Sequence, residues 1–237
     1  MLRKLLFVVA LLSFASLANA GGLGCDVGLY SKYVNGIGGV AGKDREPVMQ
    51  GDCRHDFANG AYVDGWFSQS TKNPGFRETF ANEVDLTIGV DKKINAKWSA
   101  DLHAAYFDLA NPKLLQGPNG DILNGGTTLR YQATAGTKVY GNLEGYRGIG
   151  SLGVPGGWRA GLGAKTTFGP VVVDGTLFHN HNFLGHGEFL KVMLEPVKPI
   201  AKFAGGEIRP TLFIYRPLGE YRNTRDNHVV AALHITF

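Results

Sequence analysis

Apolar and polar residues alternate with a period of two along much of the 237-residue chain. Val84, Leu86, Ile88 and Val90 fall on one side, and Glu83, Asp85 and Thr87 on the other. Trp98, Ala100, Leu102 and Ala104 oppose Ser99, Asp101 and His103 in the same way. Trp158, Ala160, Leu162, Ala164 and Phe168 oppose Arg159, Lys165 and Thr167. Side chains of a strand point alternately to its two faces, so this period predicts strands with one apolar and one polar side. Twelve segments carry it: 25–34, 47–57, 61–69, 82–91, 97–109, 127–136, 138–147, 157–168, 171–180, 188–196, 207–216 and 228–237.

The connectors take turns between short and long. Ala58 to Gly60, Lys92 to Ala96, Gly136-Thr137 and Gly169-Pro170 are short, whereas 35–46, 70–81, 110–126, 148–156, 181–187 and 217–227 are long. Barrels of the outer membrane have short turns on the periplasmic side and longer loops outside. A soluble β-sandwich also alternates, but it gives no reason for connector lengths to take turns. The pattern therefore predicts a closed antiparallel transmembrane β-barrel of about twelve strands. The Pro- and Lys-containing stretch from Val197 to Gly206 breaks it. Either this is a longer periplasmic turn or the count is off by a hairpin, with ten strands the alternative.

Both ends of the chain agree with export to a membrane. Arg3 and Lys4, the apolar run Leu5 to Leu12 and the small residues of Ala18-Asn19-Ala20 form a secretory signal with cleavage after Ala20. That divides the chain into a signal, 1–20, and one barrel domain, 21–237. A lipoprotein signal ending at Cys25 is the rival, but Gly22-Leu23-Gly24 lacks the bulky apolar residue expected three positions before the cysteine. In the last segment Val229, Ala231, Leu233, Ile235 and Phe237 share a face. A terminal strand with Leu233, Ile235 and Phe237 on its apolar side matches the signal read by barrel-assembly machinery, which would be a partner together with outer-membrane lipid and lipopolysaccharide.

Composition narrows the class further. Mean hydropathy is −0.07, as expected when lipid-facing and lumen-facing residues cancel. Beyond the signal no run reaches the eighteen or so apolar residues of a spanning helix. Glycine is abundant, at 34 residues, and 9 Tyr, 14 Phe and 3 Trp can supply aromatic girdles at the two interfaces. The net charge of +4 falls to about +2 without Arg3 and Lys4, which gives no reason to expect nucleic acid as a partner.

Ser31-Lys32-Tyr33-Val34 and Gly36 are followed by Pro47, Gln50 and Gly51, then by Tyr62, Trp66 and Ser68, then by Glu83, Asp85, Leu86 and Gly89. In its spacing this series resembles the TorF-type porin family, over roughly a third to two-fifths of the chain. Asn35 stands where that family has Arg, and Asp64 where it has Gly. The resemblance implies an outer-membrane barrel of porin type with no established substrate.

The polar faces carry the candidate chemistry. Asp52, Asp64, Glu83, Asp85 and Asp101 dominate the first half, with Asp26 and Asp56 beside them and Lys32 and Arg54 against them. Arg130, Arg159, Lys165, Lys191 and Arg209 dominate the second, against Glu144, Asp174 and Glu195. In a closed barrel these halves form opposite walls, so a transverse field would act on small hydrophilic solutes or ions in the lumen. The competing reading is a filled lumen whose charges pair across it.

Other motifs carry less. Cys25 and Cys53 lie on the apolar parity of neighbouring strands and, in an oxidising compartment, point to a disulfide, with two unpaired, small lipid-facing residues as the alternative. His179, His181 and His186 fall in one external loop, where they are weak metal candidates beside the simpler reading of a solvated loop. Gly148-x-Gly150-x-x-Gly153 lacks the strand and helix of a dinucleotide site, and Gly42-Lys43 lacks the rest of a phosphate loop. Ser99 and His103 share a face but sit roughly 13 Å apart along a strand, too far for a nucleophile–base pair. The chain is therefore read as a passive channel, not an enzyme, without a cofactor. A non-conducting barrel that binds a ligand through its external loops is the alternative.

Overall fold

The computed structural model describes residues 22–33, 47–72, 82–109, 121–149, 155–183, 185–203, 205–220 and 226–237. The signal segment 1–20, Gly42-Lys43, Gly150 and Gly153 lie outside these residues. The described residues form thirteen strands: β1 (Leu23–Tyr30), β2 (Val48–Asp56), β3 (Ala61–Ser70), β4 (Glu83–Lys93), β5 (Trp98–Leu109), β6 (Ile122–Thr134), β7 (Thr137–Gly148), β8 (Gly157–Phe168), β9 (Val171–His181), β10 (Gly187–Pro196), β11 (Ala201–Phe203), β12 (Gly206–Leu218) and β13 (His228–Thr236).

Each strand from β1 to β9 pairs antiparallel with the next. β13 pairs with both β1 and β12, and β12 also pairs with β10, which closes the sheet. Closure pairs each of these strands on both sides, as a sheet needs in lipid, where no water can satisfy a free edge. The three-residue β11 pairs with β12 alone and stands outside the ring. Twelve strands therefore form the barrel. The irregular Val197–Gly206 stretch is a long turn with its own short ribbon, so the alternative of ten strands is set aside.

Two predicted boundaries move by more than two residues. β6 begins at Ile122 instead of 127, because Gly125 and Gly126 stay in the ladder opposite Gly145 and Glu144. β1 ends at Tyr30 instead of 34. Beyond it Tyr33 is buried against Val48, and its hydroxyl donates to Glu83 at 2.7 Å.

Burial is inverted relative to a soluble protein. Leu29, Val63, Leu86, Ile88, Leu102, Leu143, Leu162 and Leu177 on the outward parity are exposed, Leu102 by 67% and Leu162 by 66%. Such a continuous apolar belt has a physical rationale in contact with lipid. Phe57, Trp98 and Phe168 fringe the belt at the short-turn end and Trp158 at the long-loop end, all exposed. The buried apolar clusters lie inside the mouth at the long-loop end. One gathers Ile122, Tyr146, Phe183 and Phe107, and another gathers Phe213, Val230, Ala232, Tyr30 and Tyr215.

Candidate functional site: the barrel lumen

The ladder registers put the predicted charged residues on one continuous inner face. Asp52 is opposite Trp66, which is opposite Asp85. Asp64 is opposite Thr87, Glu83 opposite Ser68, and Asp101 opposite Thr128. Further round, Arg130 faces Tyr140, Glu144 faces Arg159, and Lys165 faces Asp174. Lys191 faces Tyr215 and Arg209 faces His234. Directly opposed residues share a sheet face, so all twelve side chains lie on the side away from the apolar belt.

A cavity of about 290 Å³ lies within this face. Arg54 from β2 and Arg159 from β8, on opposite sides of the ring, both line it. Between them stand Asp64, Asp101, His103, Arg130 and Glu144, so its wall carries both signs of charge. Arg54, Thr87 and His103, read beforehand on polar faces, line it too, and Tyr62, Ala105, Phe107 and Asn124 complete the lining without having been read as lumen candidates. Inward parity is the only sequence signal these last four carry, since none bears a formal charge.

Among the described residues, ion pairs run along the wall. Arg159 donates to Glu144 at 2.6 Å between adjacent strands, and Arg54 to Asp56 at 2.7 Å within one strand. Arg130 reaches Asp91 at 3.0 Å over one intervening strand. His234 and Asp26 meet at 2.6 Å across the β1–β13 seam. No described pair joins the Asp52, Asp64 and Asp85 group to the Lys165 and Lys191 side, and one oxygen each of Asp64 and Asp85 has no hydrogen-bond partner there. Lys191 instead holds its ammonium over the rings of Phe213 and Tyr215, at 5.5 and 5.8 Å from their centroids.

Three predicted liners have structural duties. Arg209 is bound to Glu207 at 2.6 Å and donates to the carbonyls of Pro196 and Val197, both at 2.9 Å. It clamps the long turn before β11. Asp101 accepts from the Tyr62 hydroxyl at 2.8 Å and meets His103 Nδ1 at 2.7 Å. Asp174 accepts from the Tyr140 hydroxyl. At the long-loop end, burial and the neighbouring Glu83 carboxylate push the Tyr33 phenol well above its ordinary range, which keeps it a hydrogen-bond donor.

The remaining candidates lie outside the lumen. Cys25 and Cys53 oppose each other in the β1–β2 ladder on the outward parity and are disulfide-bonded. The expectation that all three histidines sit in a loop is corrected for two of them. His179 and His181 end β9, facing outward, where both rings contact Trp158. β9 runs one residue further than the predicted 171–180, with His181 opposite Trp158 in the β8 ladder. His186 packs edge-on against both, and His179 bonds Glu188 at 2.9 Å. Among the described residues no group of three or more His, Cys, Asp or Glu side chains converges to hold a metal ion. Leu233 and Ile235 lie on the outward face of β13, and the Phe237 amide bonds the Cys25 carbonyl at 2.9 Å.

Neither protein-family profiles nor curated proteins give a match to this chain. Among solved structures the chain is similar to a KdgM porin, with a TM-score of 0.60 and 10% identity over 90% of this chain and 98% of that one. A KdgM porin in complex with disordered oligogalacturonate gives a TM-score of 0.59 and 9% identity, covering 91% and 97%. At that identity the likeness shows a shared barrel fold.

Proposed function

We propose that the chain is an outer-membrane, porin-like passive channel for small hydrophilic solutes or ions. The observation that carries this reading is the direction of its ion pairs: they run along the wall and leave acidic and basic side chains facing a cavity that reaches from β2 to β8. A lumen plugged by electrostatics would pair those groups across it. Opposite charges left apart in a closed interior would be costly, whereas a water-filled pore hydrates those that reach its cavity. In this reading the long loops face outward from the cell, residues 1–20 are removed after Ala20, and the terminal strand ending at Phe237 is read by the barrel-assembly machinery. Membership of the TorF-type family belongs to the same proposal and rests on the N-terminal series from Ser31 to Gly89.

The test is electrical. Reconstituted barrels should give discrete conductance steps in a planar bilayer, and the reversal potential under a salt gradient should move when wall charges are removed. A second reading, a closed surface-binding barrel, draws on the aromatic clusters inside the long-loop mouth. It requires silence in the same experiment.

A further inference from the structure

The residues that leave β9, Asn182 and Phe183, do not stand away from the barrel. Asn182 takes a left-handed conformation, with φ of 61°, directly after β9 ends at His181. This residue type tolerates that turn better than most. The chain then crosses the inner side of β8 at Gly157. A Cβ added to Gly157 would meet the His181 carbonyl oxygen at 2.2 Å and the Phe183 amide nitrogen at 2.3 Å. Only a residue without a side chain lets the loop backbone lie there. Past this crossing, Phe183 is 5% exposed and its ring stacks on Tyr146 of β7, with centroids 3.6 Å apart and planes 5° apart. Ile122 of β6 and Phe107 of β5 complete the seat. Tyr146 in turn bonds Glu144, the partner of Arg159, so the phenyl ring rests on the cluster that lines the cavity.

From this geometry we propose that Phe183 sets the size limit of the pore at its long-loop mouth, as a fixed inward constriction seated on Tyr146 and admitted by Gly157. The proposal deepens the channel reading and rests on it for its electrical readout. An aromatic ring anchored by its face to another ring and flanked by apolar side chains is a rigid obstacle. It would exclude solutes by cross-section, in contrast to the charged wall below, which acts on their charge.

Two variants test it by different routes. Phe183→Ala removes the obstacle, and Gly157→Ala leaves the loop sequence intact but denies its backbone the crossing point. Both should raise single-channel conductance and admit larger neutral polyethylene glycols than the wild type does. A second readout does not need conduction. In a Thr128→Cys background, both variants should speed labelling of that inward-facing thiol by a bulky maleimide applied outside intact cells, with labelling by a small thiosulfonate unchanged. If the wild-type barrel is electrically silent, the channel reading fails while faster bulky labelling still supports the Phe183 constriction. Equal bulky-reagent labelling and an equal exclusion limit in Phe183→Ala and the wild type would overturn it.

Discussion

The Tyr62 hydroxyl on β3 reaches Asp101 on β5 at 2.8 Å by lying flat over Gly89 of the strand between them. A Cβ at Gly89 would stand 2.5 Å from the Tyr62 ring. The arrangement repeats across the barrel. Tyr140 of β7 crosses Gly163 of β8, with an added Cβ again 2.5 Å from the ring, to reach Asp174 of β9 and Thr176 at 2.6 Å. Each brace ties three strands together, and covering a strand glycine with an aromatic ring restores packing that the glycine lacks. Arg54 stacks 3.6 Å above Tyr62, so one brace also carries a cavity charge.

Gly89→Ala should therefore destabilise the barrel more than a strand Gly→Ala normally would, by about 1–3 kcal/mol from overpacking. Tyr62→Phe keeps the ring and loses only a hydrogen bond to a charged acceptor, with an expected cost of about 1–2 kcal/mol. Urea unfolding in vesicles, followed by tryptophan fluorescence, ranks the two. A Gly89→Ala barrel as stable as wild type would contradict the brace.

Breaking the Arg159–Glu144 pair should be severe. Both side chains are largely buried, at 16% and 13% exposure, and Arg159→Met leaves Glu144 without its cation. Removing one partner of a buried pair costs about 3–5 kcal/mol. The double variant Arg159→Met/Glu144→Gln should recover part of that loss, which the same unfolding midpoint reads as a coupling energy.

The Cys25–Cys53 bond closes a separation of 28 residues between adjacent strands on the lipid side. Chain-entropy arguments give about 3–4 kcal/mol for a loop of that size, as an upper value for a barrel whose register already pairs the two positions. Replacing both cysteines by serine should lower the urea midpoint and leave conductance unchanged, because neither side chain enters the lumen.

Much of this architecture was legible beforehand. Period-two alternation, connector lengths that take turns, and the inward parity of residues such as Glu83, Arg159 and Lys191 are local properties, and a twelve-stranded barrel follows from them. What escaped depends on pairing register. Tyr62, Gly89 and Asp101 are far apart in the chain and form a brace only once β3, β4 and β5 are aligned. Gly125-Gly126 looks like a break until its neighbours across the ladder are known. Arg209 had the parity of a lumen charge, but the carbonyls it clamps belong to a turn that alternation could not describe. The inward course of the β9–β10 loop hinges on Gly157, which sits outside that loop.

A water-filled lumen with an acidic and a basic side makes the reversal potential depend on the wall charges. Wild-type barrels and the variant Asp52→Asn/Glu83→Gln/Asp85→Asn would be compared in planar bilayers under a salt gradient. The account predicts discrete steps for both, with the variant shifted toward anion preference. The shift should shrink at about 1 M salt, where the Debye length falls to about 3 Å. Folded, inserted protein that gives no steps, or a variant with an unchanged reversal potential at low salt, would contradict it.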